Sequence, residues 1–282
     1  MLASRTNARP ADLADFAAPP LTEVVLGVQF NRIERFLSPH LGLVWERFKT
    51  TFPNIEERPA LPPSFEIFGP HPQFFPAIGL QIATSADMPR MFFINNDRTQ
   101  LLQVQKDRFL HNWRKVESGN NYPRFERMLE TFEEGFNTFA DVVAKENLGA
   151  IVPNQCEVSY INQIPVADDT TLYSVIGKVF AQHTEKMILD DLGTPEDLRF
   201  LLRYIMRDES GAPAGRVLVS AEPAQRIDGI TIIQMTLTAR GNPATADVAG
   251  VVKFLERGRL HLIGAFTKLT SPEMHKEWGR TQ

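Results

Sequence analysis

Apolar residues switch between a period of two and a period of three to four along this chain, and they do so twice in the same order. Leu21-Thr22-Glu23-Val24-Val25-Leu26-Gly27-Val28-Gln29-Phe30 puts Val24, Leu26, Val28 and Phe30 on one face of a strand. Ser38-Pro39 then signals a helix start, followed by Leu41, Val44, Trp45, Phe48 and Phe52 at helical spacing up to Pro53. The stretch from Pro53 to Pro76 is Pro-rich and irregular, with only Phe65 to Phe68 extended. A three-strand meander is expected from Ala77 to Thr84, Met91 to Asn95 and Gln100 to Phe109, with a turn at Asn96-Asp97. After Tyr122-Pro123, a helical stripe runs through Phe125, Met128, Leu129, Phe132, Phe136, Phe139 and Val143.

Beyond Pro153 the order returns. Gln155 to Ile164 reads as a strand and Leu172 to His183 as a helix. Leu198 to Met206, Arg216 to Ala221 and Ile230 to Ala239 form a second meander, with turns at Ser210-Gly211 and Asp228-Gly229. Asp247 to Lys268 is a second long helix, in which Gly258 and Gly264 suggest a kink. Thr270-Ser271-Pro272-Glu273 resembles a capping box opening a short helix through Trp278. The two opening strands also match locally: Glu23-Val24 and Gln29 have the spacing of Glu157-Val158 and Gln163.

The expected class is therefore α+β: two β-α-β-β-β-α repeats, with antiparallel curved sheets and the long helices packed on one face. The boundaries follow as a flexible leader over 1–20, a first repeat over 21–150, and a second over 151–282 with its C-terminal helix. The two sheets stand side by side or merge into one.

A chain of 282 residues buries enough surface to fold without disulfides or a structural metal. The single cysteine, Cys156, excludes an intramolecular disulfide and a cysteine-rich zinc site, and reads as a buried structural thiol. A net charge of −4 argues against indiscriminate binding to nucleic acid or anionic membranes. The leader lacks an apolar core of signal-peptide length and no apolar run reaches membrane-spanning length, so the expectation is a cytoplasmic protein without a membrane partner. Phosphate-cradling glycine loops, a nucleophile elbow and paired-histidine metal motifs are all missing. No cofactor, metal or catalytic residue is expected, and the six histidines read as mostly surface or lightly packed.

The most unusual stretch is Gln103 to Lys115. Read as a continuing strand, it puts Gln103, Gln105 and Asp107 on one face and Leu102, Val104, Lys106 and Arg108 on the other. Arg108, Asn112, Trp113 and Arg114 crowd its end. Tryptophan beside arginine stacks planar ligands and asparagine orients them, so Gln103, Gln105, Arg108, Asn112, Trp113 and Arg114 form the candidate ligand site. The structural alternative is an internal polar network in which Arg108 is paired with an acid and Trp113 plugs the gap between sheet and helix. If the halves are related by a two-fold, Gln29 and Gln163 take related places in a shared amide-rich groove. Such a groove suits a peptide, a base or a sugar. The leading reading is thus a binding or interaction protein that presents a sheet surface or inter-repeat groove to a protein or small molecule. The alternatives are nucleic-acid binding through the sheet face, which the net charge disfavours, and a hydrolase or transferase site assembled around Arg108, Asn112, Glu157 and His261.

Pro20-Leu21-x-Glu23-Val24-Val25, Gln103 to Phe109, Asn112-Trp113-Arg114, Tyr122-Pro123, Tyr160-Ile161-Asn162 and Trp278-Gly279 together carry a resemblance over almost the whole chain. The chain is similar to a sporadically distributed, uncharacterised prokaryotic family whose members open with a P-P-L-x-E-V-V-like strand. The order of elements also resembles the repeat of the TATA-binding-protein-like fold. These resemblances imply an architecture; they bring no catalytic residues.

Overall fold

The computed structural model describes residues 10, 13–69, 88–117, 119–167, 170–180 and 191–282. Its strands are β1 (Leu21–Phe30), β2 (Asn54–Arg58), β3 (Arg90–Ile94), β4 (Gln100–Gln105), β5 (Arg108–Arg114), β6 (Pro153–Pro165), β7 (Phe200–Arg207), β8 (Pro213–Gln225) and β9 (Thr231–Gly241). The helices are α1 (Ser38–Phe48), α2 (Phe125–Lys145), α3 (Leu172–Val179), α4 (Val248–Leu269) and α5 (Pro272–Glu277). All described strands join one curved antiparallel sheet of nine, ordered β2-β3-β4-β5-β1-β6-β9-β8-β7. The fold is α+β, with a single continuous sheet in place of two separate ones.

β1 and β6 form the seam between the halves. Val25 stands opposite Ser159. If Glu23 and Gln29 are matched to Glu157 and Gln163, Val25 falls on Ser159 as well, which is the register a two-fold through that pair produces. Outward from the seam, β5-β4-β3 on one side answers β9-β8-β7 on the other, and β2 is an additional edge strand of the first half.

Two elements differ from the sequence expectation. Asn54–Arg58, inside the stretch read as irregular, is a strand paired to β3. Its Asn-Ile-Glu-Glu-Arg sequence has almost no apolar alternation, because a charged edge strand owes its conformation to the neighbouring ladder. The second is Gln100 to Phe109, which is a hairpin and not one strand: the chain reverses at Lys106-Asp107, and Arg108 stands opposite Gln105. That turn has no glycine or asparagine to announce it. It is held from outside, since the amides of Phe30 and Ile33 donate to the Asp107 and Lys106 carbonyls at 2.9 and 3.0 Å. The proposed strand Ala77 to Thr84 and the end of the helix expected to reach His183 lie outside the described residues.

Helix starts follow local chemistry with small shifts. The amide of Leu37 donates to His40 Nδ1 at 2.8 Å, so Leu37 is the cap residue and Ser38 is already helical. At α5 the cap is Ser271, which accepts from the Met274 amide, and not Thr270. Asp247 caps α4 through the Gly250 amide. The leader is packed from Leu13 onward: Ala17 and Ala18 donate to the carbonyls of Gly279 and Trp278, and Phe16 stacks edge-on to Phe266 and Trp278.

The core lies between the helices and one face of the sheet. Phe30 and Phe109 project from that face into Phe132, Phe136 and Phe139 of α2, with ring centroids 5.7–6.3 Å apart. On the other side of the seam α4 comes much closer. A Cβ on Gly258 would lie 2.6 Å from Val158 Cγ1 and 3.1 Å from Ala239 Cβ, so this glycine lets the helix backbone rest on β6 and β9. α4 is continuous across Gly258 and Gly264. No helix among the described residues is long and apolar enough to cross a membrane.

Candidate functional site

Strand alternation sends one set of side chains into the core and the other onto the opposite, polar face. On β1 that polar face carries Glu23, Val25, Gly27 and Gln29, and the register places Arg114, Asn112, Leu110 and Arg108 of β5 beside them. Across the seam it carries Glu157, Ser159, Ile161 and Gln163 of β6, with Arg240, Thr238, Thr236 and Gln234 of β9 beside these. One pairing recurs, Glu23 opposite Arg114 answering Glu157 opposite Arg240, while Gln29 opposite Arg108 has Gln163 opposite Gln234 in the related place.

The predicted site residues fall into three groups. Gln103 and Asn112 belong to a buried relay. Arg90 Nη1 donates to Gln103 Oε1 at 2.7 Å, Gln103 Nε2 to Asn112 Oδ1 at 2.7 Å, and Asn112 Nδ2 to Glu23 Oε1 at 2.6 Å. Burial raises the Glu23 pKa, while the Asn112 hydrogen bond and the Arg114 charge oppose that shift. Arg114 donates through Nε to the Arg98 carbonyl at 2.8 Å.

Gln105 and Arg108 do something else: they hold a strap. Residues 61–68 cross the polar face without joining the ladder. Gln105 brackets Leu61, accepting from its amide and donating to its carbonyl, both at 3.0 Å. Arg108 donates to the Pro62 carbonyl at 3.0 Å and to Gln29 Oε1 at 2.6 Å, and Gln29 Oε1 also accepts from the Ser64 amide at 2.8 Å. Across the seam Arg240 donates to Ser64 Oγ at 2.9 Å, and Arg216 donates to the Ile67 carbonyl at 2.8 Å. The Glu66 carboxylate, 7% exposed, lies 3.3 Å from Arg216 and 3.9 Å from Arg240. Arg216 also stands over the Phe68 ring at 4.8 Å, while Phe65 and Ile67 point to solvent. Phe65 to Phe68, expected to be extended, joins no strand and is held on the sheet by side chains.

Arg108 matches neither sequence alternative. Its hydrogen-bond partners are an amide oxygen and a carbonyl, and Asp107 and Glu157 act on it only through space. Burial lowers its pKa.

Trp113 is separated from the other five candidates. It is buried on the core face, 5.3 Å from the Tyr122 ring, and so serves packing and cannot stack a ligand on the polar face. Its neighbour on that face, His111, is an exception to the expectation of mostly surface or lightly packed histidines. It is fully buried between the Met128 carbonyl at 3.2 Å and the Gln100 side-chain oxygen Oε1 at 3.1 Å, and burial lowers its pKa to about 4. Cys156 is buried and its thiol pKa is pushed up, consistent with an inert packing role. His261 lies on α4, on the core side of the sheet, whereas Arg108, Asn112 and Glu157 face the polar side. The catalytic grouping of these four is not assembled. Among the described residues no three His, Cys, Asp or Glu side chains converge on a metal position.

The polar face has two ends along the seam. Under the strap, beside Gln29, Arg108, Glu157 and Arg240, only about 50 Å³ remains. At the other end a cleft of about 710 Å³ opens, lined by Glu23, Arg114, Lys115, Gln163, Arg226 and Gln234. Of these, sequence reasoning singled out Arg114 as a site residue and Gln163 as a groove residue. The matched spacing of Glu23/Gln29 and Glu157/Gln163 flagged the strands, but the arginines opposite them emerge only from the register.

Comparison with models of known protein families and with curated proteins finds no match for this chain.

Proposed function

We propose that this chain is a binding protein and that its ligand site is the open cleft at the Glu23 end of the β1–β6 seam. The observation that carries this reading is the cleft itself. At about 710 Å³ it has the size of a ligand site, and it combines two side-chain amides with Arg114, Lys115 and Arg226 against Glu23 and Glu117. Amides read hydrogen-bond donors and acceptors, and the surplus of cations favours a ligand with an anionic group. The nucleic-acid alternative gains no support from the polar face, where the strap lies across the strands and Glu66, Glu157 and Glu23 interrupt the arginines.

The test is an amide NMR titration of the full chain with dipeptides, nucleotides and sugar phosphates. At least one class should shift the amides of Thr22, Glu23, Lys115, Gln163 and Gln234, with the shifts abolished in Gln163→Ala. A panel that leaves all five unmoved overturns the reading. Binding whose affinity falls steeply with salt and that is not confined to this cleft would favour nucleic acid instead.

A further inference from the structure

Resting on that reading of the cleft, we infer that its ligand is an extended peptide segment carrying a carboxylate, gripped as the opposite end of the seam grips residues 61–68 of the chain itself. The covered end shows what these side chains do with a segment lying across them. A glutamine of the first seam strand accepts from the Ser64 amide. The residue opposite it, Arg108, donates to the Pro62 carbonyl. Arg240, opposite a glutamate, donates to the Ser64 hydroxyl and, with Arg216, faces the Glu66 carboxylate.

The grips on the seam strands and their neighbours have counterparts at the open end once β1 is exchanged with β6 and β5 with β9. Gln163 takes the place of Gln29, and Gln234, whose amide also donates to carbonyls, takes that of Arg108. Glu23 and Arg114 take the places of Glu157 and Arg240. The counterpart of Arg216 is a threonine: the strand position beside Arg114 is Thr99, whose carbonyl accepts from the Arg114 amide. A second cation for the carboxylate comes instead from Lys115 on the cleft wall, since Arg226 there is already paired with Asp228. Side-chain amides and guanidinium groups that bind main-chain atoms are indifferent to sequence at those positions. The site therefore selects an extended backbone and one acidic side chain.

The probe is a synthetic peptide of the strap sequence, Pro59 to Phe68, acetylated and amidated so that its glutamate is its only carboxylate. Fluorescence anisotropy on the full chain should show saturable binding, weakened about tenfold by glutamine in place of that glutamate. Arg114→Ala and Gln163→Ala should each weaken binding with an unchanged melting temperature, whereas Arg216→Ala should not. Loss of binding in Arg216→Ala alone means that the peptide exchanges with the strap at the covered end, and overturns the inference. No binding at all overturns it too. If the NMR panel nevertheless shifts the cleft amides, the cleft remains a ligand site for a different class; if it does not, both proposals fail.

Discussion

The two halves build the same layer, helix on sheet, by opposite means. In the first, Phe109 reaches up from β5 and Gly135 of α2 makes room for it: a Cβ there would lie 3.0 Å from the ring. In the second, the smaller Val158 and Ala239 lie beneath the helix, and Gly258 lets the α4 backbone descend onto them. One glycine admits a side chain and the other admits a helix. The aromatic interface depends on filling volume, and the close interface depends on keeping volume out.

The largest expected effect tests the first half. Phe132, fully buried against Phe109 and Phe136, should cost about 3–5 kcal/mol on truncation to alanine, measured by denaturant unfolding. A loss under about 1 kcal/mol would mean that the aromatic layer collapses onto the vacancy and is no more demanding than the second interface.

His111 sharpens the same contrast, because its counterpart across the seam, Leu237, does not titrate. The folded protein holds His111 neutral, with a pKa lowered from 6.5 to about 4. Between those values the unfolded chain binds the proton and the folded one does not, so stability falls as pH drops from 6.5 and the loss saturates below about 4. The contribution is roughly 3 kcal/mol between pH 7 and pH 4. Stability measured against pH for the wild type and His111→Gln isolates it from the carboxylates: the wild type should show the steeper fall. Parallel curves would refute the assignment.

The glycines come next. Gly258→Ala should lose about 1–3 kcal/mol despite alanine's better helix propensity, because the new methyl meets Val158 and Ala239. Gly135→Ala should be close to neutral, since a ring edge yields by a few tenths of an ångström and the propensity gain of about 1 kcal/mol compensates. Equal losses at both positions would erase the distinction between the two interfaces.

The smallest expected effects lie on the polar face and compare its two ends. Arg108→Ala removes hydrogen bonds to Pro62 and Gln29 and should cost about 1–2 kcal/mol. Arg114→Ala, at the open end, should stay within about 0.5 kcal/mol of the wild type. A destabilised Arg114→Ala would make that arginine structural and weaken its part in the cleft.

The long helices and most strands were legible because they follow from local spacing. The stripe from Phe125 to Val143 is a helix whatever it packs against, and Ser210-Gly211 and Asp228-Gly229 are turns with Gly211 and Gly229 at positive φ. The misreadings share one cause. Asn54–Arg58 is extended because β3 pairs with it, and Lys106-Asp107 turns because the chain after β1 takes its carbonyls. The candidate site was legible only as a composition: the polar and basic residues from Gln103 to Arg114 were visible, but their division was not. A two-residue reversal moves Arg108 onto the face of Gln105, and strand alternation sends Trp113 to the core.

The chain's own residues determined an α+β fold with amphipathic helices, a polar sheet face and a buried, inert Cys156, since each of these depends on periodicity or on the side chain itself. Only the tertiary structure decided that the sheet is continuous, that Glu23 stands opposite Arg114 as Glu157 stands opposite Arg240, and that residues 61–68 cover one end of the seam while the other opens into a cleft. Register and strap placement bring together residues far apart in the chain, and no local pattern encodes the partner of a hydrogen bond that spans such a distance.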